Sequence, residues 1–251
     1  MSGSYMYFNH ADSICSQGGE DGIIEKLFED LKITNGILVE FGAADGRMCS
    51  NTYRLWKYNN WDTVLIECNP KLLPALRLRT AAYSNVEIFE AAVSPHKGNK
   101  DSLDSLLSRS RFNINNESLA LVSIDVDSFD YHIFDSMETY LPKVVLIETW
   151  RVGPPHVSAT DIYYERIPTL PNDPTRIIGC SHYSVVQLAE RKGYTFVCTT
   201  GNAFFVRNDL MYHLSDKTFN YEDLVLPFKV TEANAFEMGE RVKRYRMSNP
   251  E

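Results

Sequence analysis

The sequence is short of positive charge. Its 25 Lys and Arg are outnumbered by 33 Asp and Glu, which leaves a formal charge of −8. Proteins that grip polyanions carry a basic face to neutralise phosphates, so a nucleic-acid partner is disfavoured. Long apolar runs are missing as well. None approaches the roughly 20 residues needed to cross a bilayer. The opening stretch, "MSGSYMYFNHADS", has no basic region followed by an apolar segment, so no secretory signal is expected. Cysteine is sparse and scattered. Cys15, Cys49, Cys68, Cys180 and Cys198 are odd in number and form no C-x-x-C pair, which reads as reduced thiols in a cytoplasmic protein. The spacing G-x-G-x-x-G, which cradles a dinucleotide pyrophosphate, is absent too.

What is present is an alternation. Hydrophobic residues make up 44% of the 251, enough for one α/β domain with a sizeable core. Ile24, Leu27, Phe28 and Leu31 share one face of a helix. "GILVEF", "TVLIEC", "VEIFEAAV", "LALVSIDV" and "KVVLIET" are apolar runs of strand length. Between them, "NTYRLWKYN" reads as a helix capped by Ser50 or Asn51, and "KLLPALRLR" as a helix with Pro74 in its first turn or at a kink. A further helix follows the fourth run through Phe134, Met137 and Leu141. Another lies near "SVVQLAERKG", with Ser184 and Gln187 spaced as a capping box. "YTFVCTTGNAFFVRN" is a hairpin around a Gly-Asn turn. Unbroken apolar strands separated by helices make a parallel sheet covered on both faces. The expected fold is therefore a doubly wound, Rossmann-like sheet, mostly parallel, closed by an antiparallel C-terminal hairpin. The core spans 14–210, interrupted by an irregular segment at 151–180 and followed by an extension at 208–251.

In such a sheet a ligand sits at the carboxyl ends of the strands. The first strand runs into "EFGAADG", where Gly42, Ala43, Ala44 and Gly46 let a backbone approach closely. Glu40 and Asp45 flank this turn. They would repel a pyrophosphate but attract S-adenosylmethionine, which carries an ammonium and a sulfonium. Glu67, at the end of the second strand and 21 residues past Gly46, is placed to accept hydrogen bonds from ribose hydroxyls.

These residues resemble class I methyltransferases, and the FkbM-like family among them. "SQGGEDGIIEKLF" is similar to that family's leading helix, "VEFGAADGRMCSNTYRL" to its first motif and "EAAVS" to the end of its third strand. "SIDVDSFDYHIF" resembles the segment after its fourth strand, with Asp127 and Ser128 standing where relatives carry Glu and Gly. "VVLIE" and "GYTFVCTTGNAFFVR" resemble its fifth strand and closing hairpin. The resemblance implies the class I methyltransferase fold, S-adenosylmethionine as cofactor, and a cofactor site that adds Gln17, Ser50, Ala91 and Asp125 to the turn residues and Glu67.

Methyl transfer to an alcohol needs a positioned nucleophile and a base within about 3 Å of its proton. Asp127 and Glu148 are the first candidates, followed by His132, whose type titrates near pH 6.5. Asp130 reads as a helix-start residue, and His156 and His182 as structural residues. Mg²⁺ on strand-end carboxylates is an alternative, since "DVD" loosely resembles the macrocin O-methyltransferase group. A dinucleotide-dependent oxidoreductase and a non-catalytic nucleoside-binding protein are the rivals from other classes. The acidic charge favours a small molecule or sugar hydroxyl as acceptor. The segment 151–180, with five prolines and with Trp150, Tyr163 and Tyr164 at hand, is expected to wall the acceptor side.

Overall fold

The computed structural model describes residues 4–126, 129–149 and 179–225. Five strands alternate with helices: β1 (Ile37–Phe41), β2 (Asp62–Glu67), β3 (Val86–Glu90), β4 (Leu119–Ile124) and β5 (Val144–Glu148). A hairpin, β6 (Tyr194–Thr199) and β7 (Asn202–Arg207), follows. All seven join one sheet in the order β3-β2-β1-β4-β5-β7-β6. β7 runs antiparallel to both β5 and β6, and the other pairings are parallel. This is the class I methyltransferase topology expected from the strand pattern. Among the described residues, no helix is long and apolar enough to cross a membrane.

The alternation of side chains along each strand builds a core on both faces. Val39, Phe41, Val122, Ile124, Val145 and Ile147 pack on one side with α4 (Leu103–Leu107), α5 (Asp130–Ser136) and α6 (His182–Arg191). Leu38, Leu121, Val144 and Leu146 pack on the other with α1 (Glu20–Leu31) and with Leu214 of the 3-10 segment Asn208–Leu214. α2 (Tyr53–Tyr58) and α3 (Leu73–Thr80) close the β2–β3 end around Trp56, Leu65 and Leu76.

Several local expectations needed adjustment. Pro74 sits in the first turn of α3, where its missing N–H costs nothing. α4 has no counterpart in the pattern reading. Its five residues are nucleated by Ser102, whose hydroxyl accepts from Ser105 N. α5 stops at Ser136, so Met137 and Leu141 lie beyond it. α6 begins three residues before the Ser184–Gln187 box: Ser181 is its N-cap and accepts from Ser184 N. Of the extension after 208, α7 (Tyr221–Val225) packs Leu224 into the core. Tyr5 N donates to Thr218 O at 2.8 Å, tying the two ends of the described chain together.

Candidate active site

The carboxyl ends of β1, β4 and β5 lie side by side because these strands are adjacent and parallel. Beside them opens a cleft of about 650 Å³. Asp125 and Glu148 line it from the ends of β4 and β5. Gln17 and Glu20 reach it from the segment that leads into α1, Cys49 and Asn51 from the loop before α2, and Thr149, Thr200 and Asn202 from the hairpin side. Three of its walls are thus carboxylates, and no Lys, Arg or His lines it among the described residues.

The acids of the N-terminal segment also hold the cleft's rim. Glu20 is buried. Its Oε1 accepts from Thr200 Oγ1 and from Asn202 Nδ2, and its Oε2 from Gly18 N. That clamps the β6–β7 turn to the start of α1. Asp21 Oδ2 accepts from the N–H groups of Ile14, Cys15 and Ser16 at 2.8–3.1 Å, which curls the preceding loop over the same edge.

Glu40 is 4% exposed. Its carboxylate accepts from Ser50 Oγ at 2.6 Å, Asn51 N at 2.6 Å and Thr52 Oγ1 at 2.5 Å. Ser50 in turn accepts from Tyr53 N at 3.0 Å, but the N-cap of α2 is Thr52, one or two residues beyond the expected Asn51 or Ser50, because the helix opens only at Tyr53. The carboxylate at the end of β1 therefore fixes the 50–52 segment against the sheet. Burial pushes its pKa up, and the charge of Asp21 adds to that. The hydroxyls of Ser50 and Thr52 and the Asn51 N–H work the other way, and the balance is upward.

The turn after β1 is shaped by backbone contacts. Gly42 has φ +72°, and a Cβ there would stand 1.8 Å from the carbonyl oxygen of Asp125. Only glycine lets β1 and β4 end this close together. Ala43 is buried, and its N–H bonds to Ile66 O. Gly46, at φ +78°, packs against Leu76. Asp45 Oδ1 accepts from the N–H groups of Arg47 and Met48, and Oδ2 from Arg79 at 2.6 Å. Burial would raise the Asp45 pKa, but the N–H groups of Met48 and Arg47 and the Arg79 guanidinium outweigh it and hold it below the usual carboxylate range. Glu67 is buried, with Oε2 on Ala44 N and Oε1 on Asn69 N, both at 2.7 Å. Ala91 N bonds to Glu67 O.

The predicted residues thus fall into two neighbouring groups along one carboxyl edge. Gln17, Asp125 and Glu148 line the cleft. Gly42, Ala43, Asp45, Gly46, Glu67 and Ala91 form the adjoining turn between β1, β2 and β3, outside the described lining of the cleft. Glu40 sits between the two groups and holds Ser50 and Asn51. His132 lies on α5, its ring 5.4 Å from that of Tyr131, and does not line the cleft. Asp130 accepts from Val126 N at 2.8 Å, which suits a residue that starts α5. His182 bonds to Thr149 Oγ1 and thereby braces the cleft's wall. Asp127, His156, Trp150 and most of the 151–180 segment lie outside the described residues. Among those described, no group of three or more His, Cys, Asp or Glu side chains could hold a metal ion. Pattern reading missed Glu20, Thr200 and Asn202. The only trace of Glu20 is an acid in a helix's first turn, and the "TTGN" turn shows its geometry but not what it covers.

No protein-family model matches the sequence, and a search of the curated proteins finds no match either. Solved structures do show similarity. The N-terminal domain of EvdMO1 with SAH bound is 13% identical, covering 77% of this chain and 80% of its own with a TM-score of 0.46. A SAM-dependent methyltransferase from Aquifex aeolicus is 8% identical, over 72% of this chain and 88% of its own, at 0.40. The glycopeptide N-methyltransferase MtfA with sinefungin is 12% identical, over 77% and 87%, at 0.42. Similarity at this level says nothing of acceptor or activity, and the FkbM-like resemblance is one of motifs.

Proposed function

We propose that this chain is an S-adenosylmethionine-dependent methyltransferase of the FkbM-like kind, acting on a hydroxyl of a small molecule or sugar. The charge of the cleft carries the reading. Glu20, Asp125 and Glu148 line it, three carboxylates in one cleft. Carboxylates close together repel one another and are costly to bury. A ligand with two positive groups offsets that cost, whereas a pyrophosphate would raise it.

The residues fit the cofactor in size and in chemistry. A volume of about 650 Å³ is in the range of small-molecule sites. Glu67 gives each oxygen one backbone donor. A carboxylate has about four acceptor positions, so ribose hydroxyls can still bond there. Bound in the cleft, the cofactor supplies a methyl group on a cationic sulfur that leaves as a neutral thioether. Asp125 and Glu20 hold the positive end. Glu148, on the same wall, accepts the acceptor's proton or orients its hydroxyl, with Asp127, two residues past Asp125 in sequence, as its partner in that task.

Titration calorimetry tests the reading. S-adenosylmethionine and its demethylated product should bind, and NAD far more weakly. Glu148→Gln should lower turnover on a responsive sugar or phenol roughly 100- to 10,000-fold, much more than it lowers cofactor affinity. Tight NAD binding would overturn the reading. Cofactor binding without turnover on any acceptor would instead favour a nucleoside-binding protein.

A further inference from the structure

A second cleft, of about 410 Å³, opens at the other end of the sheet. It lies among the loops that lead into β1, β2 and β4, so a strand's length, about 15–20 Å, separates it from the carboxyl edge. Asn35, Asn59, Asn60 and Asn113 line it, together with Trp61 and Phe112. Elsewhere the chain puts its asparagine side chains to structural use. Among the described residues there are fourteen asparagines, and nine of them hydrogen-bond through the side-chain amide. Asn115 Oδ1 accepts from Glu117 N and Ser118 N, and Asn85 Nδ2 donates to Trp56 O and Trp61 O. Of the five whose amides make no bond among the described residues, four line this one cleft. The turn from α2 into β2 accounts for Asn59, which closes the helix, and for Asn60, at φ +58°. It does not account for Asn35 and Asn113, which come from two other loops to the same cleft.

We infer that this cleft binds a neutral sugar unit, at a site separate from the carboxyl edge. Its volume is in the range of small-molecule sites. A sugar hydroxyl both donates and accepts, and so does a primary amide. Amides brought in on three loops can therefore pair with different hydroxyls around one ring. Trp61 and Phe112 supply apolar surface for the ring's C–H groups. Trp61 is fixed in place beforehand. Its N–H donates to Leu55 O, its carbonyl accepts from Asn85 Nδ2 and Thr63 Oγ1, and its ring lies 5.2 Å from that of Phe28. Asp62, on the same lining, is an acceptor only, which suits hydroxyls and opposes an anion. A nucleobase is the competing ligand, but its hydrogen-bonding atoms lie along one flat edge and would engage one loop rather than three. None of these residues takes part in the function proposed above, so the two readings stand or fall separately.

Titration followed by NMR tests the inference. The full, isotope-labelled chain is titrated at millimolar concentrations with the methyl glycosides of glucose, galactose, mannose and fucose, and separately with adenosine. The indole N–H resonance of Trp61, assigned by its loss in Trp61→Phe, should shift with at least one glycoside. Asn35→Ala combined with Asn113→Ala should raise that glycoside's Kd by roughly tenfold, as expected for two neutral hydrogen bonds. Both side chains are exposed, so the double variant should melt like wild type. If it does not fold, the wild-type shifts decide: they should map to 34–37, 59–62 and 112–118. A stationary Trp61 resonance with all four glycosides, an unchanged Kd in the double variant, or a larger Trp61 shift with adenosine overturns the inference. Shifts confined to the carboxyl edge overturn it too, and would speak for acceptor binding in the first cleft instead.

Discussion

Glu40 and Asp45 sit five residues apart and are perturbed in opposite directions. Glu40's folded pKa is raised, so the folded state favours its protonated form. Its contribution is greatest below the ordinary carboxylate range and falls as pH rises through the folded pKa. Asp45's folded pKa is lowered. Its stabilisation is present above the unfolded value near 3.9 and is lost as pH falls through the folded value. Asp45→Asn should therefore flatten the acid limb of a plot of Tm against pH below about pH 4. It should cost at most about 1 kcal/mol at pH 7, because the Arg79 pair is partly exposed. Thermal melts from pH 2 to 7 read both effects, and an unchanged acid limb would mean other carboxylates control it. Removing Glu40 is a larger change. Glu40→Ala strands the Asn51 N–H and leaves the Ser50 and Thr52 hydroxyls to seek other partners. A loss of about 3 kcal/mol is expected in urea melts.

At the scale of elements, the turn after β1 is where the sheet's two halves constrain one another. Gly42→Ala would drive a Cβ into the Asp125 carbonyl at a positive φ. The end of β1, the Asp125 wall or both must then move, and a loss above about 3 kcal/mol is expected, together with loss of cofactor binding. Gly98→Ala is the control. Its φ is +73° but nothing lies within 4 Å, so it should cost only the left-handed penalty of about 1–2 kcal/mol. Equal losses in the two variants, compared by chemical denaturation, would refute the packing argument. The same contrast explains what pattern reading could see. Strands β1, β2 and β4 to β7 were legible because burial on both faces leaves apolar runs, and β3 was legible although it is only partly buried at the sheet's edge. The hairpin turn falls on Thr200 and Gly201, one residue before the expected Gly-Asn pair, because Asn202 already pairs in β7. α4 was not legible, because five residues give periodicity little to work on. The start of α6 was misplaced because Ser181 and Ser184 are both plausible caps, and only the fold shows which hydroxyl meets an exposed N–H.

At the scale of the whole molecule, legibility tracks whether a residue's role is set by its own strand or by a distant segment. Asp125 and Glu148 end adjacent strands, so parallel order alone brings them to one cleft. Glu20 reaches the same cleft through a hairpin 180 residues away, a pairing that no local pattern carries. Asp45 looked like a bare acid at a turn, but Arg79 on α3 neutralises much of its field. The attraction for a cation that the sequence placed at the turn is therefore concentrated in the cleft. A chain charge of −8 adds a weaker, longer-ranged term of the same sign. These facts distinguish two ligands that differ by one methyl group. S-adenosylmethionine carries one net positive charge at neutral pH, and S-adenosylhomocysteine carries none. Surface and partly exposed charges are screened over about 10 Å at 0.1 M salt and about 3 Å at 1 M. Affinity for the cationic cofactor should therefore weaken with salt more steeply than affinity for its neutral product, so the ratio of their Kd values shifts toward the product as salt rises. Calorimetric titration of both ligands at 0.05 and 0.5 M NaCl measures this. Parallel salt slopes would show that the cleft's carboxylates are protonated or otherwise balanced when ligand binds, and that shape rather than charge selects the cofactor.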